Sequence, residues 1–373
     1  MWTLAKKILL HDRIKFAVAA AGVSISVLLV LVQIGLYFGF MQNASNLIDH
    51  ADADLWVTGA GNANFDFATA MDDRIYFKVA GVEGVARAEK VILSFGQFKL
   101  PEGGDQGVQV VGIDPDARLL HPWHVVAGDA GRLREVDGIV VDETEFEKLK
   151  ISAVGAEREI TGVRSRVVGL TRGIRSFTTS PFVFTNLDTA RAFTRLGEHQ
   201  ITYVLVQAAP GVSAEALRTR LAALPNVDAY TKAEMSARTR DYWSSRTGVG
   251  AGFFTTALMG VIVGLVVVGQ ILYNGTLEHI REYGTLKAMG AANRSIVTVI
   301  LYQALISATV GFAAGSLLAL GARSAMKAAN LSVALSPQLL GATALLTATM
   351  CALAAMLSVL KVLRLDPATV FKG

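Results

Sequence analysis

Four long runs without a formal charge constrain this chain more than any other feature. They are Phe16–Phe40, Thr247–Leu277, Ser295–Ala322 and Leu331–Leu360. Each exceeds the roughly 20 residues a helix needs to cross a bilayer. The first, at 1.5 Å rise per residue, would extend about 37 Å. Composition agrees: 52% of residues are hydrophobic and 18% charged, where a soluble domain carries about a quarter charged. Mean hydropathy is +0.43. A net charge of +4 is too mild to argue for nucleic acid. The lone cysteine, Cys351, excludes an internal disulfide. A cleavable signal peptide would have a shorter apolar region, about 7–15 residues. The first run instead ends in Tyr37, Phe38 and Phe40 and reads as a retained span.

Lysine and arginine placement sets the orientation. Lys6, Lys7, Arg13, Lys15, Arg281, Lys287, Arg294, Lys361, Arg364 and Lys372 fall on one side, and only Arg323 and Lys327 in the short loop opposite. The positive-inside rule then puts both termini in the cytoplasm. The expected layout is an interfacial helix at 1–15, a first span at 16–40, an α+β extracytoplasmic domain and stalk at 41–247, and a second span at 248–273. A cytoplasmic coupling segment follows at 274–295, then a third span at 296–320, an outer loop at 321–338, a fourth span at 339–360 and a tail at 361–373. Trp2, Ala5, Ile8 and Leu9 share one side of the first helix, suiting a membrane interface and contact with lipid. Gly311-x-x-x-Gly315 permits close helix approach, within one subunit or between two.

The segment between the first two spans is large enough for a core of its own. Alternating or β-branched character predicts strands at Val85–Leu100, Val108–Ile113, Gly138–Val141, Arg164–Leu170, Phe182–Thr185 and Ile201–Gln207. Helices are predicted at Asp72–Val79, Asn186–Thr194 and Ser213–Leu224, with Asn186 and Ser213 as N-caps. A helix, the turn Gly81–Val85 and a strand are echoed by a later helix, the turn Leu224–Val227 and a strand. Residues 231–247, ending near Tyr242 and Trp243, lead towards the second span as a stalk.

Between the second and third spans lies GQILYNGTLEHIREYGTLKAMGA, Gly269 to Ala291. Its charged patch holds Glu278, His279, Arg281, Glu282 and Lys287, with Glu278 and Arg281 spaced to pair at i,i+3. Leu277, Ile280, Gly284 and Leu286 offer a less polar side. Two readings of the residues stay open: a short helix suited to contact with a soluble partner, or an ordinary charged loop between two spans.

The pattern Gly269-x-x-x-x-Asn274, then Arg281-Glu282-x-Gly284-x-x-x-Ala288-x-Gly290-Ala291, resembles the hallmark of MacB/FtsX-type (type VII) ABC transporter permeases. Among subfamilies the DevC-like permeases, without a fused ATPase, fit best. Val111–Pro115, Gly138–Asp142 and Val167–Gly169 resemble pieces of the MacB periplasmic core, and Leu365-Asp366-Pro367-Ala368 the family's C-terminal signature. The resemblance implies a porter-like subdomain with an inserted β-rich subdomain. It implies an ATPase-coupling helix carrying Glu278, Arg281, Glu282, Tyr283, Gly284, Lys287 and Gly290. It further implies ATP and Mg held by separate ABC ATPase subunits, a second permease copy, and a bacterial inner-membrane location. DevC-like relatives add a periplasmic adaptor and an outer-membrane channel. The implied function is export of a lipidic, peptide or small hydrophobic cargo by mechanotransmission. Alternatives are a heme exporter, a lipoprotein-release permease, or an FtsX-like signalling protein acting on a cell-wall hydrolase.

Catalytic motifs do not compete with this reading. The chain has no Gly-x-x-x-x-Gly-Lys-Ser/Thr loop, no Gly-x-Ser-x-Gly elbow and no His-Glu-x-x-His helix. His121-Pro122-Trp123-His124 reads as a surface turn rather than a metal site, and Asp142, Glu143, Glu145 and Glu147 as a solvated acidic face. Within the spans the polar groups are Gln33, Gln270, Gln303, Ser24 and Ser26. An ion-driven pump would need ionisable groups there. The expectation is therefore a non-enzymatic permease with no cofactor of its own.

Overall fold

The computed structural model describes residues 2–176, 180–289, 291–328 and 331–363. It divides into two compact units, residues 1–39 with 249–373, and residues 40–248. The chain opens with α1 (Trp2–His11) and α2 (Arg13–Ala44). Asp12 interrupts the helix where a single interfacial segment was expected. Its carboxylate accepts from the Lys15 amide at 3.3 Å, so Asp12 caps α2, and Arg13 and Lys15 belong to the first turn of the span.

The second unit runs through α3 (Asn46–His50), β1 (Leu55–Gly59), β2 (Met71–Asp72), α4 (Ile75–Ala80), β3 (Val85–Lys99) and β4 (Asp105–Ile113). It continues with β5 (Val125–Gly128), β6 (Gly138–Asp142), α5 (Phe146–Leu149), β7 (Glu157–Ile160), β8 (Val163–Thr171), β9 (Phe182–Asn186) and α6 (Leu187–Thr194). β10 (Gln200–Ile201), β11 (Tyr203–Ala208), α7 (Ala214–Ala222), β12 (Val227–Thr231) and α8 (Lys232–Asp241) complete it.

Strands β12-β1-β11-β3 form an antiparallel sheet in that order. With α4 between β1 and β3, and α7 between β11 and β12, this is a split β-α-β-β-α-β unit. The echo in the sequence is its two halves. β3 then serves two subdomains. Its residues 85–91 pair with β11 and its residues 91–99 with β4. From there β4-β9-β6-β8-β7 return to β3 through Phe98 and Ile160, closing a small barrel inserted in the split unit.

Side chains alternate across the first sheet, as the strand repeat of two requires. Leu55, Val57, Ile92, Val204 and Val206 enter a core shared with Val79 of α4 and with Leu217 and Leu221 of α7. Trp56, Val91, Leu93, Tyr203 and Leu205 enter a second core, with Leu47 and Ile48 of α3, Phe65, and Met235 of α8. Both faces are covered, so β1 is buried along its whole length rather than polar on alternate residues. This is why its short run carried no alternation to detect.

The Val111-Gly112-Ile113 motif acquires a physical meaning here. A Cβ on Gly112 would lie 2.3 Å from the Ala190 Cβ of α6 and 3.2 Å from the Ile92 Cβ. The missing side chain lets α6 lie close to β4. Gly112→Val should lift α6 and destabilise the protein by roughly 1–3 kcal/mol or more, as overpacking does. A fall in thermal midpoint of the full chain in detergent checks this, and an unchanged midpoint would refute it.

Several local expectations change. The helix predicted from Asp72 begins at Ile75, because Met71–Asp72 pairs with Gln200–Ile201. The strand predicted at Ile201–Gln207 breaks at Thr202, whose hydroxyl accepts from the Leu93 amide at 2.7 Å. β5, β7, β1 and α8 were not foreseen. The acidic run is only partly a solvated face: Glu147 is exposed and Glu143 half-buried, but Asp142 is 1% exposed and Glu145 9%. Asp142 caps the turn that follows it, accepting from the Thr144 amide at 3.0 Å, and also holds the Ile174 amide at 2.8 Å. Burial pushes the Glu145 carboxyl up.

The first unit resumes with α9 (Val249–Glu278), α10 (Ile280–Ala288), α11 (Asn293–Ala328) and α12 (Pro337–Leu363). Helices α2, α9, α11 and α12 are long and apolar enough to span a membrane. Their shared core includes Val23, Val27 and Leu31 of α2, Val268 of α9, Ile300 and Ala304 of α11, and Cys351 and Ala355 of α12. The Ser26 hydroxyl of α2 donates to the Gly260 carbonyl of α9 at 2.8 Å, so this intramembrane polar group marks a helix contact. Gly311 and Gly315 face α2 within the same chain. Added Cβ atoms there would lie 2.4 Å from the Val23 Cβ and 2.6 Å from the Ser24 carbonyl oxygen. The C-terminal signature Leu365–Ala368 lies outside the described residues.

Candidate functional site

Helix α9 does not end at Tyr273-Asn274, as its hydropathy suggested. No proline interrupts it, and the Thr276 hydroxyl bonds back to the Leu272 carbonyl at 2.7 Å, so it continues to Glu278. His279 (φ −91°, ψ 17°) then departs from helical geometry, and α10 begins. At the far end the Met289 amide reaches the Thr285 carbonyl at 3.0 Å and the Ala291 amide the Leu286 carbonyl at 2.9 Å. The chain then enters α11.

This short helix has two distinct sides. Tyr283 is 1% exposed and belongs to a cluster with Ala5 of α1 and Ile296, Val299 and Ile300 of α11. Burial pushes its phenol up to about 12, opposed by a hydrogen bond with Gln303. Gly284 beside it is also buried, while Ile280 and Leu286 are half-buried. On the opposite side Glu282, Thr285 and Met289 are exposed, Met289 to 72%. Their spacing places them in one stripe along the helix. Of the residues expected to contact an ATPase, Glu282 therefore faces outward, Tyr283 and Gly284 seat the helix in its own chain, and Lys287 is half-buried. The Arg281 side chain and Gly290 lie outside the described residues.

Glu278 pairs with Lys15 in the first turn of α2, and Lys15 also meets Asp12 at 2.8 Å; the expected i,i+3 partner, Arg281, has its side chain outside the described residues. His279 itself contacts Glu282, Nδ1 to Oε1, at 2.9 Å. The Lys15–Glu278 pair could not be found by local spacing, since 263 residues separate the two. A cleft beside this pair is lined by Ile8, Leu9, Gly275 and Gln303.

The 121–124 turn does not gather metal ligands. Trp123 stacks on His50 at 4.4 Å between ring centres, and His124 adopts a left-handed backbone (φ 48°). Among the described residues, no group of three or more His, Cys, Asp or Glu is placed to hold a metal.

Comparison with known proteins covers both units. Residues 16–224 match the family described as MacB-like periplasmic core domain, and residues 254–367 the FtsX-like permease C-terminal family. An uncharacterized ABC transporter permease of Mycobacterium bovis is 23% identical over 309 residues, covering 83% of this chain and 81% of its own. A second, from Mycobacterium tuberculosis, is 23% identical over 310 residues, covering 82% and 81%. The periplasmic region of MacB from Actinobacillus actinomycetemcomitans aligns with TM-score 0.37 at 12% identity, over 51% of this chain and 94% of that one. The extracellular domain of YknZ, a noncanonic ABC-type transporter from Gram-positive bacteria, aligns with TM-score 0.35 at 13% identity, over 48% and 98%.

Proposed function

Because this chain belongs to the MacB/FtsX-type family of ABC transporter permeases, we propose that it couples ATP hydrolysis in a separate ATPase to export of a lipidic, peptide or small hydrophobic cargo. The observation that carries this reading is α10. It sits between two candidate spans, seated by Tyr283 and Gly284, with Glu282, Thr285 and Met289 turned outward. A soluble ATPase would press on that stripe. Two permease copies and two ATPases would form the working unit, with ATP and Mg held by the ATPases. A periplasmic adaptor and an outer-membrane channel would complete a DevC-like route across the envelope.

In this reading α10 is cytoplasmic and the 40–248 unit extracytoplasmic, as the lysine and arginine bias argues. Asp105, Glu198 and Thr285 are all exposed. In a Cys351→Ser background, cysteines at the first two should react in whole cells with an impermeant thiol reagent. A cysteine at Thr285 should react only after the membrane is opened. The reverse pattern would overturn the orientation. Reconstitution with the partner ATPase tests the function: hydrolysis should rise on assembly, and vesicles should move cargo only with ATP. An ATPase indifferent to the permease would overturn the coupling role.

A further inference from the structure

The loop between β1 and β2 covers an unusual set of buried polar groups. Asn62, Asn64 and Asp66 are each 2% exposed or less, and the Gln109 side chain of β4 is fully buried. Asp66 accepts from Gln109 Nε2 at 3.1 Å and from the Trp243 indole N–H at 2.8 Å. Trp243 lies in the π-helical turn Tyr242–Arg246, which joins α8 to the segment entering α9. Turns of this kind recur at functional positions. Phe67 from the same loop packs on Trp243 and Phe95, at 6.1 and 5.8 Å between ring centres. One carboxylate thus ties the stalk to the loop.

We propose that Asp66, Gln109 and Trp243 form a proton-binding latch on the stalk, and that proton uptake at Asp66 tightens it.

The geometry supplies a place for the proton. Gln109 Oε1 is buried and has no hydrogen-bond partner. A half-turn of that amide exchanges donor for acceptor beside Asp66. A protonated Asp66 would then donate to Gln109 Oε1 while its other oxygen still accepts from Trp243. The ionised form keeps both present bonds but holds its charge 2% exposed. Burial accordingly pushes the Asp66 carboxyl up to about 6, against the two hydrogen bonds, which act to lower it.

Opening the latch would return Asp66 to water and to its ordinary value of 3.8. The closed form then holds the proton more tightly than the open one. Its added stability is complete below 3.8 and is lost as the pH rises through about 6. At pH 5 the closed form should gain about tenfold over pH 7.5, since one pKa unit is a tenfold effect. The titratable neighbour on β11 is Tyr203, whose hydroxyl donates to the Phe65 carbonyl at 2.8 Å and whose pKa burial raises further. The charged groups on the same loop are Arg238 of α8, donating to the Asn62 carbonyl, and Asp228 of β12, accepting from the Gly61 amide.

Hydrogen–deuterium exchange of the full chain in lipid nanodiscs, corrected for intrinsic rates, tests this on the peptide covering residues 242–250. Protection should rise about tenfold from pH 7.5 to pH 5. Asp66→Asn, which can accept from Trp243 and donate to Gln109 Oε1, should be protected equally at both. A step that survives in Asp66→Asn would mean that another group, such as Asp228, titrates, and would overturn the proposal. So would pH-independent exchange in the unaltered protein. If Asp66→Asn does not accumulate, Trp243→Phe decides. Losing a donor to the ionised carboxylate should move the midpoint upward, and an unmoved midpoint refutes the latch. Its bearing on force transfer rests on the permease reading, but the exchange experiment does not. Failure of either leaves the other testable.

Discussion

Gly311→Val should prevent this permease from reaching its folded form, and Gly315→Val should do the same. At both positions α11 lies so near α2 that a side chain has no room. The added Cβ would stand 2.4 Å from the Val23 Cβ or 2.6 Å from the Ser24 carbonyl oxygen. The first obstacle is itself rigid and β-branched, and the second is backbone, so the helices must separate. In lipid the cost is not softened by a hydrophobic drive, because close packing is much of what holds spans together. Each substitution should cost about 1–3 kcal/mol or more, enough to remove the monodisperse peak in size-exclusion chromatography. Gly311→Ala should be milder and partly rescued by Val23→Gly, which removes the opposing Cβ. A dimer motif predicts something else: monomers that are folded but fail to associate. Stable, monodisperse Gly311→Val protein of unchanged or halved mass would therefore sink this assignment.

How much was legible beforehand follows from what kind of signal each element leaves. The four spans were readable because absence of charge over a long run is a local property of the sequence. Their ends were not, since α9 persists past Tyr273 and Asn274, which interrupt hydropathy without interrupting backbone hydrogen bonds. In the 40–248 unit, the N-caps Asn186 and Ser213 were found correctly. Each side chain accepts from the backbone three residues on, at Thr189 and Ala216. β3, β4, β6, β8 and β9 were found through their apolar runs. β5 escaped because all four of its residues are exposed at a sheet edge, and β1 because it is buried on both faces. The candidate site divides the same way. Its charged patch was visible, and part of its inner face too, since Ile280, Gly284 and Leu286 lie on the less polar side, but the hydropathy of α10 gives no hint that Tyr283 is its anchor. Glu278 finds Lys15, and Asp66 finds Trp243, only through the fold.

Glu282→Arg should leave the permease folded and remove ATPase stimulation. Glu282 is exposed and meets His279 at the helix surface, so its reversal costs the chain little. A charge-assisted hydrogen bond to a partner contributes about 1.5–3 kcal/mol. Its replacement by repulsion should weaken association with the ATPase roughly 10- to 100-fold, at 1.4 kcal/mol per tenfold. Arg281→Glu should act in the same direction, as the family resemblance of that position implies. Glu282→Gln serves as control: it preserves the bond to His279 while losing the charge, so a defect shared with Glu282→Arg belongs to electrostatics at the partner surface. Tyr283→Ala should fail differently. Removing a buried aromatic costs about 3–5 kcal/mol, and the loss falls on the seat that α10 shares with Ala5, Ile296 and Val299. That variant should still bind the ATPase through Glu282 and its stripe. It should not transmit, because a helix loosened from its own bundle yields under load. The measurements are ATPase affinity and stimulated hydrolysis in proteoliposomes, taken on the same preparations. Loss of binding in Tyr283→Ala with normal binding in Glu282→Arg would reverse the two faces of α10 and remove the basis for the coupling assignment.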